Sequence, residues 1–442
     1  MDKKHLKLTK SRITRPMRRI IMAILIGSFF IISPAIILYT AGYRYDFQEK
    51  NVRQTGVLSI DIKPTSAQVW LNDIEIKKNI PIRLPNRAPG TYHLKIERET
   101  HKTWEKDITI SSNQTTYIKD ITLLKDATPT EIILDQDGIQ NIYGTDNSTN
   151  ILILTKEKYI YEILAFDTVE KTVTPITRTA TQPEISVSPF FDTAYILIKE
   201  GLTQTLHLVS FENPNNPTTI AIDSLDLELQ WNESNSFEPI YIKEKTEIKK
   251  ISLNGTASPV SQTTSSLWYV DSDENTWELK DKNLKQKNEN LSIYIDEEIE
   301  DIFHINKDRM ILKSKDGFVV AQYTENTTHD THTIFGDPTY FHRDTQEWWF
   351  MTEWELVSVY ADGNSNLLNR SGEKLTHVTL LDEDGVILFV TDEKIKTFNP
   401  GYYIGHDLFD GNTMQATPLL KQRELYFLRS LEGKNKLYQL DY

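Results

Sequence analysis

Two short stretches of this 442-residue sequence carry side chains that could bind a metal ion. Asp271-Ser-Asp-Glu-Asn275 has the alternating oxygens of a calcium loop, but Thr276 stands where such a loop needs glycine and Lys282 where it needs glutamate. His329-Asp-Thr-His332, with His342 ten residues further on, offers nitrogen ligands, but no third ligand follows at a recognisable spacing. We interpret both stretches as polar turns and predict no metal site.

Catalytic signatures are equally scarce in the sequence. It contains no cysteine, which excludes disulfides, thiolate metal sites and cysteine nucleophiles. It also lacks a Gly-x-Ser-x-Gly elbow, a His-Glu-x-x-His helix and a phosphate-binding glycine loop. Acidic groups such as Glu297-Glu298, Asp135-Gln-Asp-Gly138 and Asp382-Glu-Asp-Gly385 are typical of charged or Asp-Gly turns. We therefore predict no catalytic residue and no cofactor.

Four tryptophans are the candidate residues for binding a partner: Trp70, Trp348, Trp349 and Trp354. An aromatic side chain gives a large contact area at a small entropic cost, so an exposed one suits a protein surface or a sugar ring. On a strand, Trp348 and Phe350 face one way and Trp349 the other, so packing inside a β-sheet core is the alternative interpretation.

The N-terminus predicts a membrane anchor. Residues 1–19 contain eight basic residues and one acidic residue, a net charge of +7, whereas the whole chain is −14, which leaves −21 for the remainder. An uncharged stretch begins at Ile20 and ends near Ala41, long enough as a helix to span the hydrocarbon layer of about 30 Å. The basic cluster places the N-terminus in the cytoplasm and the acidic bulk outside it, where nucleic acid is not an expected partner.

A cleaved signal peptide is the alternative to this anchor. Its apolar region would be shorter, at about 7–15 residues, and would end in a small-residue cleavage site. Here the run ends in Leu38-Tyr-Thr-Ala-Gly42, with the bulky Tyr39 inside that site. We therefore predict an uncleaved anchor at residues 20–41 that follows a cytoplasmic tail at residues 1–19.

Residues 52–124 predict a small β-sandwich. Stretches such as Val57–Ile62, Ala67–Leu71 and Thr91–Ile96 alternate apolar and polar residues, and Pro64 and Pro89-Gly90 separate them. Pro64-Thr-Ser-Ala67, the strand after it, Pro89-Gly90 and Trp104 together resemble the PEGA domain, an extracytoplasmic β-sandwich module. Ser66, Asn72-Asp73 and Thr100-His101 depart from the family pattern, but only in loops. The resemblance implies no catalytic residue.

The region from residue 130 to residue 442 predicts a β-propeller with seven or eight blades. Hairpin-like patterns begin near eight positions, about 39 residues apart on average: Ile151, Ala194, Ile240, Leu267, Met310, Glu347, Val386 and Glu424. This spacing is typical of propeller blades. The Leu267 pattern follows its predecessor so closely that the two hairpins could share a blade. Glu131–Leu134 could pair with the last strand and close the ring. Two stacked sandwiches or an open β-solenoid are the rival architectures.

The expected function is a non-catalytic binding or scaffolding role at the cell surface, with an envelope protein or a glycan as ligand. The lipid bilayer is the expected partner of residues 20–41. A hydrolase or lyase acting at the axial mouth of the propeller is the alternative, which converging carboxylates or a histidine would favour. A sensor is a weaker hypothesis, because nineteen cytoplasmic residues are too few for a signalling domain.

Overall fold

The computed structural model describes residues 15–46, 51–134, 138–224, 226–287, 289, 291–324 and 327–442. They divide into two compact units at the boundary between Leu124 and Lys125. The predicted Asp-Gly turn at Asp135–Gly138 lies largely outside the described residues.

The first unit begins with the apolar helix α1 (Arg15–Thr40), which is long and apolar enough to cross a membrane. Its apolar side chains are exposed on all sides, as Phe30 and Ile31 illustrate. The Arg44 guanidinium lies 3.7 Å from the ring centre of Tyr39, and its Nη1 donates to the Tyr39 carbonyl at 2.7 Å. A basic group near the last carbonyls of a helix stabilises that end.

Two sheets follow the helix and form the predicted sandwich. The strands of the unit are β1 (Tyr43–Asp46), β2 (Asn51–Gln54), β3 (Gly56–Lys63), β4 (Gln68–Leu71), β5 (Ile74–Glu75), β6 (Ile82–Arg87), β7 (Gly90–Glu97), β8 (Trp104–Ile110) and β9 (Thr115–Thr122). β1 pairs with β2 in a separate hairpin, β6-β3-β9 form one sheet, and β5-β4-β7-β8 form the other. The sequence did not indicate β5 or β6. β6 contains Pro85, and it is an edge strand, where a missing amide donor is tolerated.

Eight four-stranded sheets make up the second unit, counted over its described residues. Sheet 1 has β11 (Ile139–Tyr143), β12 (Asn150–Glu157), β13 (Ile160–Asp167) and β14 (Thr172–Thr179); sheet 2 has β15 (Glu184–Val187), β16 (Thr193–Glu200), β17 (Thr203–Ser210) and β18 (Thr218–Ile222). Sheet 3 has β19 (Leu227–Trp231), β20 (Ile240–Glu244), β21 (Glu247–Ile251) and β22 (Ala257–Gln262); sheet 4 has β23 (Leu267–Val270), β24 (Thr276–Lys280), β25 (Asn283–Gln286) and β26 (Ser292–Tyr294).

The remaining sheets complete the chain. Sheet 5 has β27 (Ile299–Ile305), β28 (Arg309–Ser314), β29 (Gly317–Thr324) and β30 (Thr327–Ile334); sheet 6 has β31 (Asp337–His342), β32 (Glu347–Met351), β33 (Glu355–Val359) and β34 (Ser365–Arg370). Sheet 7 has β35 (Leu375–Leu380), β36 (Ile387–Thr391), β37 (Lys394–Asn399) and β38 (Ile404–Asp410). Sheet 8 joins β39 (Gln415–Leu419), β40 (Glu424–Leu431) and β41 (Lys434–Asp441) to β10 (Thr130–Ile132) from the start of the unit.

Packing between consecutive sheets arranges them in a ring. Separate apolar clusters join sheets 1 and 2, 2 and 3, 3 and 4, 4 and 5, 5 and 6, and 6 and 7. Sheets 7 and 8 meet through Phe409 and Phe427, whose ring centres are 5.2 Å apart. A cluster that includes Phe166 and Tyr426 joins sheet 8 to sheet 1. This closed series is a β-propeller-like fold, as the repeat predicted, with the first strand of sheets 1–7 and β39 of sheet 8 nearest the centre.

The ring is closed by pairing between distant parts of the chain. β10 pairs antiparallel with β41, so that Glu131 lies opposite Tyr438. The predicted pairing of this segment with the last strand is confirmed. The suggestion that the Leu267 hairpin shares a blade with its predecessor is wrong, because Leu267 begins the first strand of sheet 4. The strands of sheet 4 have only 4, 5, 4 and 3 residues, which shortens the repeat there.

Candidate functional site

The axis of the second unit contains a cavity of ≈ 440 Å³. Seven of the eight sheets contribute to its lining, through first strands or through residues that directly follow them. Gly144, just after β11, allows this close approach, because a Cβ there would lie 2.4 Å from a side-chain methyl of Thr417 on β39. The cavity is in the size range of small-molecule sites, about 300–1,000 Å³.

Aromatic side chains form one wall of the axial cavity. Trp348 contacts Phe303 and Phe341, with each pair of ring centres 4.7 Å apart. Trp231 and Tyr340 also line the cavity, and the Trp231 Nε1 donates to Ser186 Oγ at 3.2 Å. Rings from four different strands therefore offer apolar surface to a ligand.

Two polar groups in the lining are buried and have no hydrogen-bond partner among the described residues. They are the hydroxyl of Thr145 and the indole Nε1 of Trp348. The two side chains are only 5% and 6% exposed. A buried polar group without a partner costs about 1–3 kcal/mol. Their presence in one cavity indicates that a bound molecule could supply the missing partners.

Asp146 is the only carboxylate among the described lining residues of the axial cavity. Its Oδ2 accepts a hydrogen bond of 2.7 Å from the Tyr340 hydroxyl. Desolvation raises the pKa of Asp146, and this effect outweighs the opposing effects of the Tyr340 hydrogen bond and the Arg343 charge. Arg343 also lines the cavity, and its Nη1 contacts Asp192 Oδ1 at 3.1 Å. The charged groups in the lining thus already have partners.

The one histidine in this lining, His377, carries no charge at neutral pH. Desolvation lowers its pKa to about 4, although a hydrogen bond to the backbone of Ala416 opposes the shift. A neutral imidazole can donate or accept a hydrogen bond but brings no positive charge to attract an anion.

Behind the aromatic wall lies a buried network of ionisable groups. His304 Nε2 is 2.9 Å from Glu233 Oε2, and His304 Nδ1 is 3.4 Å from Arg309 Nη2. Because a carboxylate accepts and a guanidinium donates, His304 is neutral and carries its proton on Nε2. Desolvation lowers the pKa of His304, and it lowers that of Arg309 to about 10. Both ring nitrogens of His304 are engaged, so the network holds sheets 3 and 5 together rather than serving as an acid or base.

A second cavity of ≈ 320 Å³ adjoins the axial cavity and shares Asp146, Tyr340 and Arg343 with it. It is also lined by Asp344 and Glu383. Three carboxylates therefore converge where the first strands end.

A third cavity of ≈ 350 Å³ lies along β19, β23 and β27 and shares Phe303 with the axial cavity. Its lining includes Glu228, Glu300 and Asp301. Desolvation raises the pKa of Asp301, and the charge of Glu228 acts in the same direction. Acidic groups thus lie near Phe303 as well.

The four predicted tryptophans lie in different environments. Trp348 lines the axial cavity, whereas Trp349 points to the other face of β32 and packs in the core between sheets 6 and 7. Trp354, in the turn between β32 and β33, is half exposed. Trp70 is half-buried on the face of β4 opposite Val69 and Leu71. The structure does not bring the four together, and they remain predicted partner-binding residues.

Two of the stretches interpreted as turns, Asp271–Asn275 and Asp382–Gly385, do lie in turns. The interpretation of His329–His332 as a turn is wrong, because this stretch belongs to β30 and pairs with β29. Asp271 directly follows the first strand of sheet 4, and its Oδ1 accepts hydrogen bonds from the amides of Asp273 and Asn275. In sheet 7, the Asp382 Oδ1 likewise accepts hydrogen bonds from the amides of Asp384 and Val386. His329 and His332 lie on the outermost strand of sheet 5, and His342 lies on the first strand of sheet 6. Over the described residues, no group of three or more His, Cys, Asp or Glu side chains is arranged to hold a metal.

Sequence reasoning missed Thr145, Asp146 and Arg343 in the lining and the network of Glu233, His304 and Arg309. A usable signal exists, since most of these polar residues lie at the end of a first strand or within three residues after it. Recognising it requires knowing which strand of each repeat is innermost, and the apolar pattern does not distinguish the strands.

The first unit matches a known family. Residues 55–124 match the PEGA domain model, which confirms the resemblance seen in the sequence. No curated protein matches the chain.

Solved structures resemble the chain only distantly. An uncharacterized protein from Listeria monocytogenes EGD-e has 12% identity and a TM-score of 0.42, with 64% of this chain and 98% of that chain covered. The WD40 domain of SCAP from fission yeast has 12% identity and a TM-score of 0.42, with 72% of this chain and 98% of that chain covered. The Cps50 (Swd1) β-propeller domain of Myceliophteria thermophila has 6% identity and a TM-score of 0.43, with 71% of this chain and 100% of that chain covered.

Proposed function

We propose that this protein is a single-pass membrane protein whose extracytoplasmic part binds a ligand in the axial cavity without chemically changing it. The observation that carries this proposal is the pair of buried polar groups without partners, Thr145 Oγ1 and Trp348 Nε1, in a cavity walled by aromatic rings. An envelope protein or a cell-surface glycan is the class of partner. The PEGA match and the propeller-like fold both suit a binding or scaffolding role.

The membrane location is supported by α1. A helix with apolar side chains exposed on all sides is unfavourable in water and favourable in a bilayer. The excess of basic residues at residues 1–19 favours a cytoplasmic N-terminus, which would place both folded units on the other side.

Single-cysteine variants test this topology, since the natural chain has no cysteine. Leu202, 77% exposed in the turn between β16 and β17, is replaced by Cys in one variant, and Lys4 in another. A membrane-impermeant maleimide is expected to label Leu202→Cys in intact spheroplasts and Lys4→Cys only after permeabilisation. The opposite pattern would contradict the proposed orientation.

The binding role is tested with the full chain in lipid nanodiscs, immobilised and incubated with solubilised envelope material. The wild-type chain is expected to retain a reproducible component, and the Thr145→Val/Trp348→Phe double variant is expected to lose it. Tyr159→Ala is the matched surface variant and is expected to retain it, because Tyr159 is exposed in the turn between β12 and β13 and lies outside the cavity. If the wild-type chain retains nothing, or if the double variant retains as much as the wild-type chain, the axial cavity is not the binding site.

A hydrolase or lyase is the second candidate function. The observation that favours it is the convergence of Asp146, Asp344 and Glu383 in the adjoining cavity, because glycosidic cleavage commonly uses two carboxyl groups. The two functions differ in the fate of the retained component. Under the binding proposal it is recovered intact, whereas an enzyme would release it cleaved, and Asp146→Asn would stop the cleavage.

A further inference from the structure

We infer that the ligand of the axial cavity is an uncharged sugar ring; this inference rests on the proposed binding function and specifies its ligand. Four properties of the cavity lead to it: the balance of charge, the missing hydrogen-bond partners, the aromatic wall and the volume.

The balance of charge disfavours an ionic ligand. Asp146 already accepts a hydrogen bond from Tyr340, and the Arg343 guanidinium already contacts Asp192. The pKa of His377 is lowered to about 4, so this residue adds no positive charge at pH 7. A charge that enters such a cavity loses its hydration without gaining an unpaired opposite charge.

The missing partners require a ligand that both accepts and donates hydrogen bonds. Trp348 Nε1 is a donor only, so it needs an oxygen that accepts. The hydroxyl of Thr145 can use either kind of partner. Sugar hydroxyls and acetamido groups offer both functions.

The aromatic wall requires apolar surface on the same ligand. Rings of Trp231, Phe303 and Tyr340 line the cavity beside the polar groups. A sugar ring combines faces made of C–H groups with a polar edge, and aromatic side chains pack on such apolar faces.

The size of the cavity limits the ligand. Its volume of ≈ 440 Å³ lies in the range of small-molecule sites. The Phe303 ring, which packs edge-on against Trp348 at 4.7 Å, occupies part of the wall. The cavity therefore suits a free sugar or the end of a glycan.

Three sugars that share one ring and differ in charge test the inference: N-acetylglucosamine, glucosamine and glucuronate, with trialanine as a peptide probe. Binding to the full chain in lipid nanodiscs is measured by saturation-transfer NMR and by titration calorimetry. Nanodiscs are used because alkyl maltoside detergents carry a neutral sugar that would compete.

N-acetylglucosamine is expected to bind to the wild-type chain, and both charged sugars are expected to bind at least about tenfold more weakly. Thr145→Val and Trp348→Phe are each expected to weaken its binding about 2- to 10-fold, the effect of one uncharged hydrogen bond. Trp277→Phe is the matched control, because the Trp277 indole donates to Asp271 and lies outside the cavity. It is expected to leave the affinity unchanged.

Two results would overturn the inference. In the first, N-acetylglucosamine does not bind, but trialanine or a charged sugar does, and Trp348→Phe weakens that binding. The ligand is then not an uncharged sugar, although the cavity still has a binding function. In the second, none of the four probes binds, but the cavity still retains envelope material. The sugar inference then fails and the proposed binding function stands. If the envelope material is not retained either, both the sugar inference and the proposed binding function fail.

Discussion

Replacement of Arg309 by methionine is expected to lower the free energy of unfolding of the second unit by about 3–5 kcal/mol, the usual cost of removing one member of a buried ionic network. Arg309 is fully buried. Its Nη1 donates to the backbone carbonyls of Gln346, Val359 and Tyr360. Methionine would remove these hydrogen bonds and the donor that faces the Nδ1 of His304.

The removal of Arg309 also affects Glu233. The carboxylate is buried, and one of its oxygens has no partner within the described residues. Without the nearby guanidinium, its negative charge would lack compensation in a region of low polarity. Urea denaturation followed by tryptophan fluorescence measures the loss, since six of the eight tryptophans lie in residues 125–442.

Arg178→Met is the matched control. Arg178 forms an ion pair of 2.8 Å with Glu162, but its side chain is 70% exposed. Water screens such a pair, so we expect a much smaller loss than for Arg309→Met. Equal losses for Arg309→Met and Arg178→Met would show that the buried network does not stabilise the ring.

The second large effect is expected at the closure of the ring. Replacement of Tyr438 by proline is expected to destabilise the second unit by about 3 kcal/mol or more. Tyr438 lies on β41, opposite Phe427 on β40 and Glu131 on β10. In an antiparallel sheet, the amide of a residue between two strands donates to one or the other. Proline has no amide hydrogen, so it must break one of the two ladders.

Tyr438→Ala separates the backbone effect from the side-chain effect. Alanine removes the ring of Tyr438, which stacks on Phe427 at 5.7 Å, but keeps the amide. Proline is therefore expected to cost more than alanine in the same urea titration. It is also expected to speed proteolysis near Lys125–Glu131, because β10 is held by this pairing. If the two variants behave alike, backbone pairing at Tyr438 does not hold the ring closed.

The individual elements of this protein were predictable because their patterns are local. The alternation in Gln68–Leu71 puts Val69 and Leu71 on one face and Trp70 on the other, and the structure buries Val69 and Leu71 in the core. Likewise, Trp348 and Trp349 face opposite cores, as the period of two predicted. Such patterns reflect which side of a strand avoids water, and neighbouring residues alone determine that.

Spacing was a weaker guide where the repeat was irregular. Sheet 4 has short strands, so the interval before Leu267 did not reveal a separate sheet. In the sandwich, β6 was missed because Pro85 breaks the pattern of a strand, and only the edge position of β6 makes that proline acceptable.

The sequence by itself determined the apolar helix, the small sandwich, the repeated hairpins and the segment that closes the ring. Only the tertiary structure decided which polar residues meet at the axis. Thr145 and Trp348 are about 200 residues apart in the chain, and Glu233 meets His304 across an intervening sheet. Burial follows from local alternation, whereas a hydrogen bond, or its absence, depends on which distant strands the closed ring brings together.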